Sequence, residues 1–450
     1  MKPRSLVFIF AADLALILSL ELLFHLLGLF PPQPLFTEFK DAQGRTQVMF
    51  SISSTRPVFP ASFPAQKPAG VVRIMAYGES TTYGFPFHEK TSFPAELGLL
   101  LNRARPDRKW EIINLAMVNL DSEQVRDIFL ASLQYHPDLA IIYCGQNEYI
   151  RSSLLNEIQL PRLIALRNFL SRTSRIYQAL VSLRNFVEAT VDSASLRKKQ
   201  GPQPLSPRLL RLRQNLFRRH LEQILGAAQA ARVPVILCTV ASNLRDWPPS
   251  PLPYPAGLSA AQVQELDRLV SATEKKLDDR DAAGAETALR QAQALAPGYS
   301  LLAFLSARTL ELQGQRDRAR ELYLRALRGD AALDRAPLEL SSIIRDLAHN
   351  QGVALVDPEQ RFAEHSAFAA PGFDLFMDHV HPNLAGQALI AGALFRAIQS
   401  GAFPFSAGAW QPVPDLTEEE IIRAFDLGPN YLAEVRFRIK KVIQAKGWVP

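Results

Sequence analysis

The chain has 450 residues, 48% of them hydrophobic and 21% charged, which supplies one large core or two smaller ones and excludes a disordered polymer. Its net charge of +6 is local: residues 151–220 hold fourteen Lys or Arg against Glu157, Glu188 and Asp192, so the remainder is slightly acidic and a diffuse nucleic-acid footprint is excluded. The two cysteines, Cys144 and Cys238, sit inside apolar runs and read as buried thiols, which excludes a disulfide scaffold and four-cysteine zinc sites.

In residues 1–30, the run Ser5–Phe30 is apolar apart from a few positions. At 1.5 Å per residue it can cross the roughly 30 Å hydrocarbon core of a bilayer. Pro31 and Pro32 follow with no small-x-small cleavage site, so an uncleaved transmembrane anchor is expected rather than a signal peptide. Lys2 and Arg4 favour the N-terminus inside and the bulk of the chain outside. Asp13, Glu21 and His25 interrupt the run within roughly a 120° arc, either as a docking face for another membrane protein or as a Glu21–His25 pair near the interface.

Residues 31–70 carry Pro31, Pro32, Pro34, Pro57, Pro60, Pro64 and Pro68 and predict an extended spacer. Residues 71–261 and 332–405 then alternate apolar β-branched runs with helical patterns. Val71–Tyr77, Trp110–Met117, Leu139–Cys144, Val233–Val240 and Val353–Val356 read as strands; Pro94–Arg105, Ser122–Tyr135, Arg208–Ala231, Leu338–Asn350 and Leu384–Ser400 read as helices. That alternation predicts an α/β fold with a parallel sheet covered on both faces.

Two stretches are extra to it. Within about 150–206, Arg162–Ala189 spaces apolar residues helically between arginines, which suits a helix on an anionic surface or one packed on its own domain. Within 262–331, Ala285, Leu289 and Ala292 recur 34 residues later as Ala319, Tyr323 and Ala326, and 34 is the tetratricopeptide period. Two such copies should lean on the host domain and could hold a protein or polymer partner. A helical extension at 406–450 closes the chain.

The chemistry gathers at the predicted strand ends. Val71–Tyr77 runs into Gly78-Glu79-Ser80-Thr81-Thr82-Tyr83-Gly84, placing a serine where functional groups of a parallel sheet collect. Serine needs an adjacent base, and Asp378-His379-Val380-His381-Pro382 offers one. His381 is the expected base, with Asp378 three residues away to hold its tautomer; His379 is the rival, but adjacency to Asp378 turns its side chain away. A metal reading of Asp374, Asp378, His379 and His381 is the alternative, but so dense a spacing suits a loop triad better than metal geometry, and neither a metal nor a cofactor is expected. Negative charge on a reacting carbonyl oxygen needs fixed donors. The Ala116 amide in Asn114-Leu115-Ala116-Met117 and the Asn147 side chain in Gly145-Gln146-Asn147-Glu148 are the candidates, with plain turn chemistry as the alternative for both.

In order and placement, Gly78–Ser80, Asn114–Ala116, Gly145–Asn147 and Asp378–His381 resemble the four blocks of the SGNH (GDSL-like) hydrolases, and the chain looks like a bacterial membrane-anchored subgroup that also carries tetratricopeptide repeats. The resemblance covers about 66–150 and 230–400. It implies a flavodoxin-like three-layer α/β/α core. It also implies ester chemistry through an acyl-serine, with Ser80, His381 and Asp378 as triad and Ser80, Ala116 and Asn147 as oxyanion hole, on an acyl-ester substrate. By the same resemblance the chain is placed in the bacterial inner membrane, single-pass through residues 5–30, with an extracytoplasmic catalytic domain. O-acyl transfer to an envelope glycan would use the same site, and an inactive repeat scaffold is a third reading. Two departures stand out: Ala116 replaces the family's glycine, and Glu79 replaces its aspartate, a change expected to matter little because neither residue is the nucleophile.

Overall fold

In the computed structural model five apolar runs form one parallel sheet: β4 (Val71–Gly78), β5 (Lys109–Asn114), β6 (Leu139–Tyr143), β7 (Val235–Cys238) and β8 (Ala354–Val356), in the order β5-β4-β6-β7-β8. All residues are described except 1–2, 32–33, 51–60, 89, 150–169, 171–172, 191–204, 251–253, 256, 402, 404, 406 and 446–450. The chain divides into two compact units, residues 1–37, 50–57 and 152–201, and residues 38–49, 58–151 and 202–450.

The sheet lies in the second unit. From Val72 on, β4 is buried at every position, as a strand covered on both faces must be, and Ile74 pairs with Ile112 on one side and Leu139 on the other. Its one charge, Arg73, is fully buried and fully used: Nε meets Glu111 at 2.5 Å, while Nη1 and Nη2 donate to the carbonyls of Tyr135 and Pro64.

Taken in chain order the strands run 2-1-3-4-5, the flavodoxin-like arrangement, whose direction reverses between β4 and β6. The crossover from β4 through α3 (Phe93–Ala104) to β5 moves one way. Those through α4 (Ser122–Ser132), α6 (Pro207–Ala231) and α11 (Leu338–Gln351) move the other way, so right-handed connections place the two sets on opposite faces. Contacts agree: α3 packs on α13 (Leu384–Ser400), α4 on α6, and α6 on α11. These helices and strands lie within a residue or two of the stretches read from periodicity, except that the second and fourth strands are shorter than Trp110–Met117 and Val233–Val240. The spacer stretch 31–70 holds three short strands, β1 (Phe36–Lys40), β2 (Thr46–Phe50) and β3 (Ala61–Pro64), in a sheet of their own.

Between β7 and α11 stand four helices, α7 (Ala260–Asp278), α8 (Ala282–Leu295), α9 (Ser300–Leu312) and α10 (Arg316–Arg328). Both triplets spaced by 34 residues are buried in their shared core, where alanines let helices approach and Leu289 and Tyr323 fill the gaps. Leu244 and Ala370 join that core, and α10 packs on the 3-10 turn Ala367–Ala369. At the other end of the unit, Ile439 and Ile443 of α15 (Pro429–Ala445) pack with Trp247, Phe85 and Met377.

In the first unit α1 (Pro3–Leu26) meets α5 (Arg175–Thr190). The carboxylate of Glu21 accepts from the backbone N–H groups of Arg175 and Ile176 and from Ser174 Oγ, capping the first turn of α5, and Arg175 Nη1 donates to Leu29 O. Glu21 is therefore bonded to the start of α5 within its own chain. Arg162–Phe169, the first part of the basic helical pattern, lie outside the described residues, as do the side chains of residues 3–12 and 14. Among the described residues no helix is long and apolar enough to cross a membrane.

Candidate active site

Ser80 opens the four-residue turn of helix α2 (Ser80–Tyr83) directly after β4. Gly78 is required by close packing: a Cβ there would strike Tyr143 O and Thr82 Oγ1. That close approach to the end of β6 sets Ser80 beside the point where the sheet's winding reverses. Each residue of the turn then reaches a different neighbour. Thr81 Oγ1 donates to Val380 O at 3.2 Å, Thr82 Oγ1 to Tyr143 O at 3.2 Å, and Asn114 Nδ2 donates to Thr82 O at 2.7 Å.

The loop before α13 supplies the base. His381 Nε2 lies 2.8 Å from Ser80 Oγ, and His381 Nδ1 lies 2.7 Å from Asp378 Oδ2. The other oxygen of Asp378 accepts from the N–H groups of Val380 and His381 at 2.9 and 2.8 Å, so the carboxylate shapes the loop as well as orienting the ring. Burial opposes the charge of Asp378, but the charges of His381 and His379 outweigh it and hold the carboxyl well below the usual carboxylate range. An anionic Asp378 at Nδ1 fixes the tautomer that presents Nε2 to the serine.

His379 is turned away. Its Nδ1 stands 3.5 Å from Asp378 Oδ1 without hydrogen-bond geometry, and its ring stacks on Trp247 at 5.1 Å. Asp374 faces Arg245 at 3.2 Å and accepts from Gly372 N–H, so it does not share a ligand set with the histidines. Among the described residues no group of three or more His, Cys, Asp or Glu could hold a metal ion.

The two expected oxyanion donors differ. Leu115 N–H donates to Ala76 O and Met117 N–H to Gly78 O, so Ala116 lies alongside the end of β4, and its own N–H donates to Asn114 Oδ1 at 3.2 Å. Asn147 Nδ2 donates to Leu120 O at 2.9 Å; a side-chain amide carries two N–H donors, so one more remains to it.

Glu79 holds this side of the site, contrary to the expectation that its identity matters little. Its carboxylate accepts from Gly145 N–H at 2.9 Å and Asn147 N–H at 3.1 Å, clamping the Asn147 loop to the residue next to the nucleophile. Gly145 has φ of 136°, a backbone that favours glycine and aims these amides at one carboxylate. Burial, then the charge of Glu148, pushes the Glu79 carboxyl well above the usual range; Glu148, which accepts from Ser122 N–H, is itself pushed up to about 8 by burial and by Asp121. The signal was present in the sequence as a carboxylate inside an otherwise apolar strand end.

The border of the site was not read from the sequence. The Phe85 ring lies 4.7 Å from that of His381, and the cluster of Trp247, Met377, Ile439 and Ile443 continues from it. Arg438 Nη1 donates to Pro86 O, fastening α15 there. Trp247 packs on His379 and the C-terminal helix, while Tyr254, further along the same stretch, stacks on Tyr299 and donates to Asp267 Oδ1 of the inserted unit, which also seats on Leu244 and 367–370.

No family model and no curated protein matches the chain. Solved structures overlap it: an acetylxylan esterase from Geobacillus stearothermophilus (11% identity, 72% of this chain and 92% of that one, TM-score 0.35), a lipase/acylhydrolase from Enterococcus faecalis (12%, 73% and 95%, 0.33) and a GDSL-like lipase from Bacteroides thetaiotaomicron (10%, 73% and 88%, 0.32). Likeness of this degree says nothing of chemistry, which rests on the chain's own residues.

Proposed function

We propose that the chain is a serine hydrolase of the SGNH type that cleaves acyl esters through an acyl-Ser80 intermediate. The observation that carries this reading is the unbroken line Ser80 Oγ, His381 Nε2, His381 Nδ1, Asp378 Oδ2, with spacings of 2.8 and 2.7 Å, at the carboxyl edge of a parallel sheet. His381 takes the Ser80 proton as Oγ attacks the ester carbonyl, and returns it to the departing alcohol. Water, activated by the same imidazole, then releases the acid and frees Ser80. Asp378 stabilises the imidazolium formed at each step. The tetrahedral oxyanion is met by the second proton of Asn147 Nδ2 and the Ser80 N–H. Ala116 N–H joins them by exchanging its 3.2 Å bond to Asn114 Oδ1 for a shorter one to the stronger, charged acceptor.

Residues 5–30 act in this reading as a bilayer anchor that leaves the hydrolase on the extracytoplasmic side, and α7–α10 as a tetratricopeptide-type pair of hairpins that recruits a protein or polymer. The apolar run Ser5–Phe30 in the sequence and the buried 34-residue recurrence support these parts. The test is labelling of the purified chain with a fluorophosphonate, alongside hydrolysis of short and long aryl esters. Covalent modification that disappears in Ser80→Ala is the expected result; a folded chain that is neither labelled nor active would sink the reading.

A further inference from the structure

The inserted helical unit and the reacting groups meet at one buried arginine. Where α10 ends, Gly329 sits so close to Ser300 that a Cβ would collide with it, and the chain then passes through Asp330 and Arg335 before α11 begins at Leu338. Arg335 is 2% exposed. Its Nη2 and Nε face Asp330 Oδ2 at 2.7 and 3.2 Å, while Nη1 donates to two carbonyls, Asn243 O and Trp247 O, each at 2.8 Å.

Asn243 carries the connection onward. Its N–H donates to His379 O at 2.9 Å and its Nδ2 to Asp378 O at 3.0 Å, so this one residue holds two successive carbonyls of the acid–base loop. The residue after Arg335 reaches the other half of the site: Ala336 N–H donates to Gln146 Oε1 at 3.2 Å, next to Asn147. The strand of chain leaving the helical unit thus holds the loop of the base through one residue and the loop of the oxyanion donor through the next.

A buried guanidinium–carboxylate pair is a poor way to gain stability, because desolvating both charges offsets most of their attraction. What a guanidinium does offer is a rigid planar fork that fixes several acceptors relative to one another. Here the fork fixes the exit of the helical unit, at Asp330, against the segment Asn243–Trp247 that bears Asp378 and His379.

We propose that Arg335 is a positioning residue for the Ser80 reaction, through which the seating of the helical unit sets the alignment of His381 and Asp378. The inference rests on the hydrolase reading above. Arg335→Lys keeps a charge opposite Asp330 but cannot span Asp330 and both carbonyls. Asn243→Ala leaves that ion pair and its carbonyl bonds in place and removes two side-chain bonds, the one to Asp378 O and the one from Asp246 N–H.

The measurement is the first-order rate of Ser80 modification at saturating fluorophosphonate, read with the final labelled fraction and the melting temperature. Both variants are expected to reach full labelling at a rate about ten- to a hundredfold lower, since small misplacements of reacting groups act on the rate step. A purely structural role would lower the labelled fraction and leave the rate of the folded molecules alone. That outcome overturns the proposal, and so does an unchanged rate. Should Arg335→Lys fail to fold, the rate in Asn243→Ala decides by the same criterion. Absence of Ser80 labelling in the unaltered chain overturns the hydrolase reading and this inference with it, whereas normal labelling with unaltered rates in the variants overturns this inference alone.

Discussion

Among the described residues two serine–histidine pairs share one spacing. Ser80 Oγ and His381 Nε2 are 2.8 Å apart, and so are Ser122 Oγ and His220 Nδ1. What differs is everything behind the imidazole. His381 offers Nε2 to its serine because Nδ1 is held by an anionic Asp378, and its serine stands at a sheet edge flanked by amide donors. His220 uses Nδ1 toward Ser122, between α4 and α6. Burial and then the charge of Arg126 lower it to about 4, so at neutral pH it stays an uncharged hydrogen-bond partner. The N–H of Ser122 is bonded to Glu148. Proximity of serine to histidine is thus shared; at His381 a hydrogen-bonded carboxylate holds the ring, whereas at His220 burial and Arg126 keep the ring uncharged against the pull of Glu123 and Asp127.

Mutating the two histidines gives the largest contrast. On the proposed reading His381→Ala lowers ester turnover by about 10⁴-fold or more in a chain that still folds, while His220→Gln changes turnover less than about threefold. Steady-state kinetics on a short aryl ester reads both, and equal losses would erase the distinction.

Asn147→Ala is the next largest, an expected fall of about 10²–10³-fold in kcat in a chain that still folds, because the amide serves a charge present only in the transition state. Near-normal turnover would remove Asn147 from the site. Glu79→Gln should lose about tenfold to a hundredfold in kcat, since an amide NH2 cannot accept from both Gly145 and Asn147 and the loop loses one anchor. KM is expected to stay within about threefold.

The smallest effect concerns pH. The folded-state pKa of His220 lies below its usual 6.5, so from about 6.5 down to about 4 the unfolded chain takes up a proton that the folded chain refuses, and stability is lost as pH falls. His220→Gln should flatten the acid limb of a denaturation series by roughly 1–3 kcal/mol between those limits. An unchanged slope would mean that His220 ionises as freely folded as unfolded.

Much of the framework was legible before any coordinates. Runs such as Val71–Tyr77 and Leu139–Cys144 announce doubly covered strands because every residue but Arg73 is apolar, and Leu384–Ser400 is found as helix over the range read from its spacing. Ser80, Asp378 and His381 were legible for a different reason: Asp378 and His381 are three residues apart in one loop, and Ser80 follows a strong strand. Glu79 was misjudged because its meaning lies in Gly145 and Asn147, more than sixty residues away, whose amides converge on it only once β4 and β6 are paired.

By itself, then, the sequence determined the elements, their alternation and the residue types at each strand end, since hydrophobic period and turn chemistry are local properties. Tertiary structure alone decided that Asp378 stands behind His381 where that ring meets Ser80, that Trp247 packs on His379 and α15, and that Arg335 joins the inserted helices to the acid–base loop. These outcomes depend on buried polar groups finding partners at long sequence separation. A periodicity shows which face of an element is buried, but it carries no record of what that face is buried against.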